Sequence, residues 1–154
     1  DLCRWFTSKE VLQVYGRTFN SFWKTDVEDN AFFSLEFEDD IYAHCHVSWT
    51  NWKNIFSFEI FGSKGYVKIE GLGGNYGKEI LEVGYRNNKS SIPKIQNFQY
   101  DDVDSCWALE WKNFKNSIEN NKRTNGDGED GHAANLIIEA IYKSNKFNKP
   151  ININ

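Results

Sequence analysis

The sequence predicts an α+β fold: an open, mostly antiparallel or mixed sheet of about six strands, with helices on one face and the other face free for oligomerisation. Three observations carry this. Apolar and polar residues alternate through several short runs up to about Tyr100. Turn-forming residues, such as Glu38-Asp39-Asp40 and Ser63-Lys64-Gly65, separate these runs. Near Ser105 the period lengthens to that of amphipathic helices.

Taken in order, Asp1 to Phe6 reads as the last turns of an amphipathic helix, with Leu2, Trp5 and Phe6 on one side. Val11 to Phe19 is β-rich, with Leu12, Val14 and Thr18 alternating against Gln13, Tyr15 and Arg17. Asn30 to Phe37 puts Ala31, Phe33, Leu35 and Phe37 on one side, and Ile41 to Trp49 returns after the acidic turn. Phe56, Phe58 and Ile60 alternate with Ser57 and Glu59, and Val67 and Ile69 come back beyond Gly65. Gly71 to Gly77 is too glycine-rich for helix or strand. Further strands are expected at Glu79 to Arg86 and Ile95 to Tyr100. Trp107, Trp111, Phe114 and Ile118 form a helical stripe capped by Asp104 or Ser105. Ala133, Leu136, Ile137, Ala140 and Ile141 form a second, closed by Pro150, and the Ile151 to Asn154 tail suits a short edge strand.

A chain of 154 residues fits a single domain (1–154) with its own core. Hydrophobic content of 40% and charged content of 26% are those of a soluble globular protein. The net charge of −4 is scattered, which argues against a nucleic-acid partner. No apolar run has membrane-spanning length, so no membrane partner is expected. Three widely spaced cysteines, Cys3, Cys45 and Cys106, point to reduced thiols and a cytoplasmic location rather than a disulfide framework. The absence of methionine and the helix-like start at Asp1 suggest a piece of a longer protein.

Several constellations invite a functional reading. Gly71, Gly73 and Gly77 resemble a dinucleotide fingerprint, but a strand rather than a helix is expected to follow, so nucleotide binding is not favoured. His44 and His46 share one face of a strand with no third ligand in view, which favours a hydrogen-bonded pair over a metal site. Asp26, Glu28 and Asp29 sit where a strand begins, and capping explains them. His132 is expected on a helix surface, and no catalytic triad or carboxylate pair emerges. Trp49, Asn51, Trp52 and Lys53, with Asn75 and Tyr76 of the glycine loop, are the candidate substrate contacts: indoles stack on sugar rings and amides bond hydroxyls. Two tryptophans covering a core edge would look the same. The polar but aromatic sheet face, with Phe32, Tyr42, His44, His46 and Tyr66, suits a subunit contact.

Asp1-Leu2-Cys3-Arg4-Trp5-Phe6, Val27-Glu28-Asp29-Asn30-Ala31, Ser48 to Lys53, Phe58 to Gly62, the Gly71 to Gly77 loop and Gly128-Glu129-Asp130-Gly131 together resemble the C-terminal domain of the Gfo/Idh/MocA oxidoreductases. The glycine loop is similar to one in a sugar-dehydrogenase subgroup. The resemblance implies that residues 1–7 end an interdomain helix and that a Rossmann domain holding NAD or NADP, a lysine and the catalytic histidine belongs to a part of the protein outside this chain. No catalytic, cofactor-binding or metal residue is therefore expected within it. It also implies a sugar, sugar phosphate or nucleotide sugar as substrate, and a homo-oligomer formed through the open sheet. The alternative is a free-standing carbohydrate-binding or protein-interaction module of the same fold.

Overall fold

The computed structural model describes residues 1–87, 89–90, 92–100 and 105–153. The chain divides into two compact units, Asp1–Thr50 with Glu119–Asn154, and Asn51–Ile118. The α+β class and the antiparallel pairing are as expected. The strands, however, form two four-stranded sheets rather than one sheet of about six. Alternation tells which way a side chain points, not which strand lies alongside, so the division could not be read from period alone.

In the first unit, β1 (Val11–Phe19), β2 (Asn30–Phe37), β3 (Tyr42–Ser48) and the short β8 (Ile151–Asn152) form a sheet in the order β3-β2-β1-β8. Every pairing is antiparallel. Helix α3 (Gly128–Phe147) covers one face, burying Ile137, Ala140 and Ile141 against Val11, Val14, Leu35 and Phe37. Gly16 makes this approach feasible, because a Cβ there would lie 2.8 Å from Ile141 Cγ2. Ser144, wholly buried, accepts the Gly16 N–H at 3.0 Å and donates to the Lys149 carbonyl at 2.7 Å, so helix and sheet share a satisfied polar contact.

Helix α3 begins earlier than its apolar stripe. Asp127 accepts from the N–H groups of Glu129 and Asp130, and Asp130 reaches back to the Asp127 N–H, forming a capping box. It ends at Asn148, in the left-handed region at φ 52°. In β1 the expected alternation is broken: a bulge between Val11 and Gln13 turns Val11 and Val14 inward and leaves Leu12 exposed. One extra residue shifts the phase of a strand, so Val11, not Leu12, belongs to the core. Helix α1 (Leu2–Thr7) also faces differently from expectation. Leu2, Trp5 and Phe6 are exposed, while Cys3 packs against the core and Arg4 ion-pairs with Glu10 at 2.8 Å and Asp130 at 3.2 Å.

In the second unit, β4 (Ser57–Gly62), β5 (Gly65–Glu70), β6 (Glu79–Tyr85) and β7 (Lys94–Tyr100) pair in sequence order. The β4–β5 turn needs Gly65, at φ 150°, whose missing Cβ leaves room for the Gly84 carbonyl. None of the described hydrophobic side chains of this unit is buried. Helix α2 (Cys106–Asn120) forms where the spacing predicts, but its stripe of Trp107, Trp111, Phe114 and Ile118 is exposed rather than packed. Helical period marks an apolar face without naming what covers it. Of its two expected caps, Asp104 lies outside the described residues, and the Ser105 carbonyl accepts the Leu109 N–H.

Candidate functional site

The face of the first sheet opposite α3 is built by the residues that alternate with the core positions. His46 stacks on Phe32 with ring centroids 4.0 Å apart and planes 6° apart, and Phe19 meets Phe32 edge-on. The Ser34 hydroxyl lies 3.2 Å from His44 Nδ1, and His46 Nε2 lies 3.4 Å from Asn30 Oδ1. Both imidazoles are thus hydrogen-bonded to neighbours across the strands. Among the described residues, no group of three or more His, Cys, Asp or Glu is placed to hold a metal ion. Phe32, Tyr42, His44 and His46 share this exposed face. Tyr66 stands in the second sheet, over Gly84, with its hydroxyl donating to Glu82 at 2.7 Å. The expected interface set therefore divides between the units.

At the end of this sheet, Asp29 organises the loop between β1 and β2. Only 3% exposed, its carboxylate accepts from the N–H groups of Ser21, Phe22 and Trp23 at 2.7–2.9 Å and from the Asn30 amide at 2.9 Å. Burial by itself would raise its pKa, but these donors prevail and hold it well below the usual carboxylate range. Asn30 also bonds the Thr50 hydroxyl at 3.0 Å, and the Trp49 N–H donates to the Asp29 carbonyl at 2.8 Å. The Trp49 backbone is fixed while its indole is 81% exposed. Asp29 and Asn30 escaped the sequence reading as positioning residues. Their only signal was an acidic and an amide residue at a strand start.

Asn51, Trp52, Lys53, Asn75 and Tyr76 all belong to the second unit, and all are exposed. The structure joins their two loops through Asn54, whose amide donates to the Asn75 carbonyl at 3.3 Å. Trp52 holds a left-handed backbone at φ 53°, a conformation costly for a bulky side chain, and its indole is 68% exposed. The second sheet also carries a shallow cleft of about 350 Å³ between Tyr66, Tyr85 and the Ser63-Lys64 turn.

The glycine loop connects two antiparallel strands, β5 and β6, with no helix after it. The Gly71 N–H goes to the Phe56 carbonyl, and the Gly73 N–H donates to the Glu79 carboxylate at 2.6 Å. Both donors are thus committed within the chain. Among the described residues no helix is long and apolar enough to cross a membrane.

Residues 1–68 match the family model described as the GFO/IDH/MocA C-terminal domain. No curated protein sequence matches the chain. Among solved structures, the chain is similar to the aldose-aldose oxidoreductase of Caulobacter crescentus complexed with glycerol, at 19% identity and TM-score 0.77 over 98% of this chain and 44% of that one. The WlbA dehydrogenase of Bordetella pertussis, in complex with NADH and UDP-GlcNAcA, matches at 21% identity and TM-score 0.71 over 99% and 42%. A levoglucosan dehydrogenase in complex with NADH and L-sorbose matches at 15% identity and TM-score 0.78 over 94% and 45%. The chain thus spans less than half the length of these structures, and at such identities the likeness is one of fold.

Proposed function

We propose, from the premise that this chain belongs to the GFO/IDH/MocA family as a C-terminal domain, that it forms the substrate-side and subunit-contact half of an NAD(P)-dependent oxidoreductase acting on a sugar, sugar phosphate or nucleotide sugar. The dinucleotide, held outside this chain, supplies hydride chemistry at a hydroxyl-bearing carbon. The work of this chain is to bind and orient. Trp52 stacks on the sugar ring, Asn51 and Asn75 bond its hydroxyls, Tyr76 adds a second aromatic surface, and Lys53 supplies charge for a phosphorylated substrate. Trp49 is proposed separately as a stacking surface of the first unit.

The observation that carries the assignment is Trp52: an exposed indole on a left-handed backbone, in a loop tied to Asn75 through Asn54. Strain kept at a surface residue calls for a functional reason. The test uses the intact protein, assayed with NAD or NADP and a panel of aldoses and nucleotide sugars. Trp52→Gly relieves the backbone strain while removing the ring. KM should rise about tenfold, equivalent to about 1.4 kcal/mol, with the melting temperature unchanged or raised. Unchanged KM removes Trp52 from the site. Sugar binding with no turnover under any cofactor favours a carbohydrate-binding module instead.

For the subunit contact we assign the Phe32, Tyr42, His44 and His46 face. Tyr42→Lys should shift sedimentation of the intact protein toward the monomer, and unchanged association would remove this face from the contact.

A further inference from the structure

Every residue of α2 is exposed except Ser117, which is half-buried and donates to the Asn113 carbonyl of the same helix at 2.9 Å. A helix of 15 residues in that state is marginal in water, because a packed apolar face supplies most of a helix's stability. Yet α2 carries four large apolar side chains in a line. Trp107 and Trp111 are 79% and 66% exposed, and Phe114 and Ile118 follow at 48% and 66%. The rings of Trp111 and Phe114 adjoin, with centroids 5.8 Å apart. The steps between the four residues are four, three and four. That alternation makes the narrow seam of a coiled coil rather than the broader stripe a helix turns to a core. At roughly 100° per residue, all four fall within about 60° of the helix circumference. Glu110 lies on one flank of this seam and Lys115 on the other, the positions that reach a facing helix.

We propose that α2 pairs in parallel with α2 of a second copy of this chain, the Trp107, Trp111, Phe114 and Ile118 seams of the two copies packing together. The charges select the partner and its direction. In a parallel pair, Glu110 of each copy faces the partner's Lys115, so the two-fold axis creates two ion pairs. In an antiparallel pair, Glu110 would face the partner's Ser117 and Lys115 the partner's Ala108, and neither combination attracts. The remaining charges, Lys112 and Glu119, also balance, so the helix lacks the basic polar face that draws amphipathic helices to a lipid surface. About two heptads make a reversible contact rather than a permanent one. The pairing uses none of the residues of the Phe32, Tyr42, His44 and His46 face, so either contact stands without the other.

The intact protein, mixed in equal parts from unlabelled and isotope-labelled cultures and coupled with a carbodiimide, tests this. The expected product is an amide between Glu110 and Lys115 in which light and heavy peptides are joined. Within one helix these two side chains project about 140° apart, so the link reports a second copy. Trp111→Glu keeps a good helix former but sets carboxylates in the seam. It should lower the yield of the mixed link at least about tenfold, with the melting temperature unchanged. Glu110→Lys alone should weaken association in sedimentation. Combined with Lys115→Glu, which exchanges the two charges, it should restore both association and a mixed link between the same positions. Absence of the mixed link in the parent, or an unchanged yield in Trp111→Glu, overturns the proposal. Links from Lys115 to a site outside α2 would show another occupant on the stripe and overturn it as well. Failure of the exchanged pair to recover would overturn the parallel direction.

Discussion

The two units are built on the same plan, four antiparallel strands in a row, but they are held together differently. The first buries Val14 and Phe37 at 0% and 1% exposure under α3 and closes its one buried serine with two hydrogen bonds. The second buries no described hydrophobic side chain. It rests on its ladders and on half-covered cross-strand neighbours such as Ile60 with Val67 and Ile69 with Leu81. A regular backbone does not by itself create an interior. Where α3 lies on the first sheet, side chains contribute burial energy; the described residues of the second unit rely more on backbone pairing and half-covered neighbours.

The sharpest way to break this contrast is to remove comparable bulk from each unit. Val14→Ala, at a wholly buried position, should cost about 2–3 kcal/mol, two methyl groups plus the cavity they leave. Val67→Ala in the second sheet should cost about 1 kcal/mol. Urea unfolding would read both, and equal losses would dissolve the distinction. Next comes the helix–sheet contact itself. Gly16→Val drives a side chain into Ile141 and should cost about 1–3 kcal/mol, visible as a lower urea midpoint.

Acid tests the first unit through Asp29. Its folded pKa is depressed below the ordinary 3.8, so its contribution is complete above that value and is lost as pH falls toward the folded one. Thermal melts should show stability declining below about pH 4, and Asp29→Asn should be several degrees less stable at pH 7 with a flatter acid limb. An unaltered acid limb would mean that Asp29 does not anchor the loop. The smallest effect belongs to Lys9, whose exposed pair with Asp39 at 2.7 Å should contribute nothing measurable, so Lys9→Gln should melt with the parent.

The elements of the first unit were largely legible in the sequence. The strand from Asn30 to Phe37 and its return advertise themselves through alternation, and α3 through its stripe above Pro150. Gly16 within a strand is a sign of close approach, which Ile141 supplies. The rest depends on relations that no local window contains. The bulge near Val11 is a property of pairing with β2, and the Asp29 carboxylate finds its donors in Ser21, Phe22 and Trp23 only once the loop has turned back. The candidate substrate contacts Trp49, Asn51, Trp52 and Lys53 were readable as residue types, while the left-handed backbone of Trp52 was not.

The pairing of β8 with β1 has a consequence for synthesis. Val14 is matched with Ile151, and the Ile153 N–H donates to the Leu12 carbonyl, so the first strand of this sheet in chain order is bordered by the strand that follows α3. The second unit is one uninterrupted segment, while the first is split around it. Emerging from a ribosome, β1, β2 and β3 must therefore wait, their apolar face uncovered, until α3 and its following strand have been translated. The better-packed unit is completed only after the other, and during that interval it is the one most in need of a chaperone.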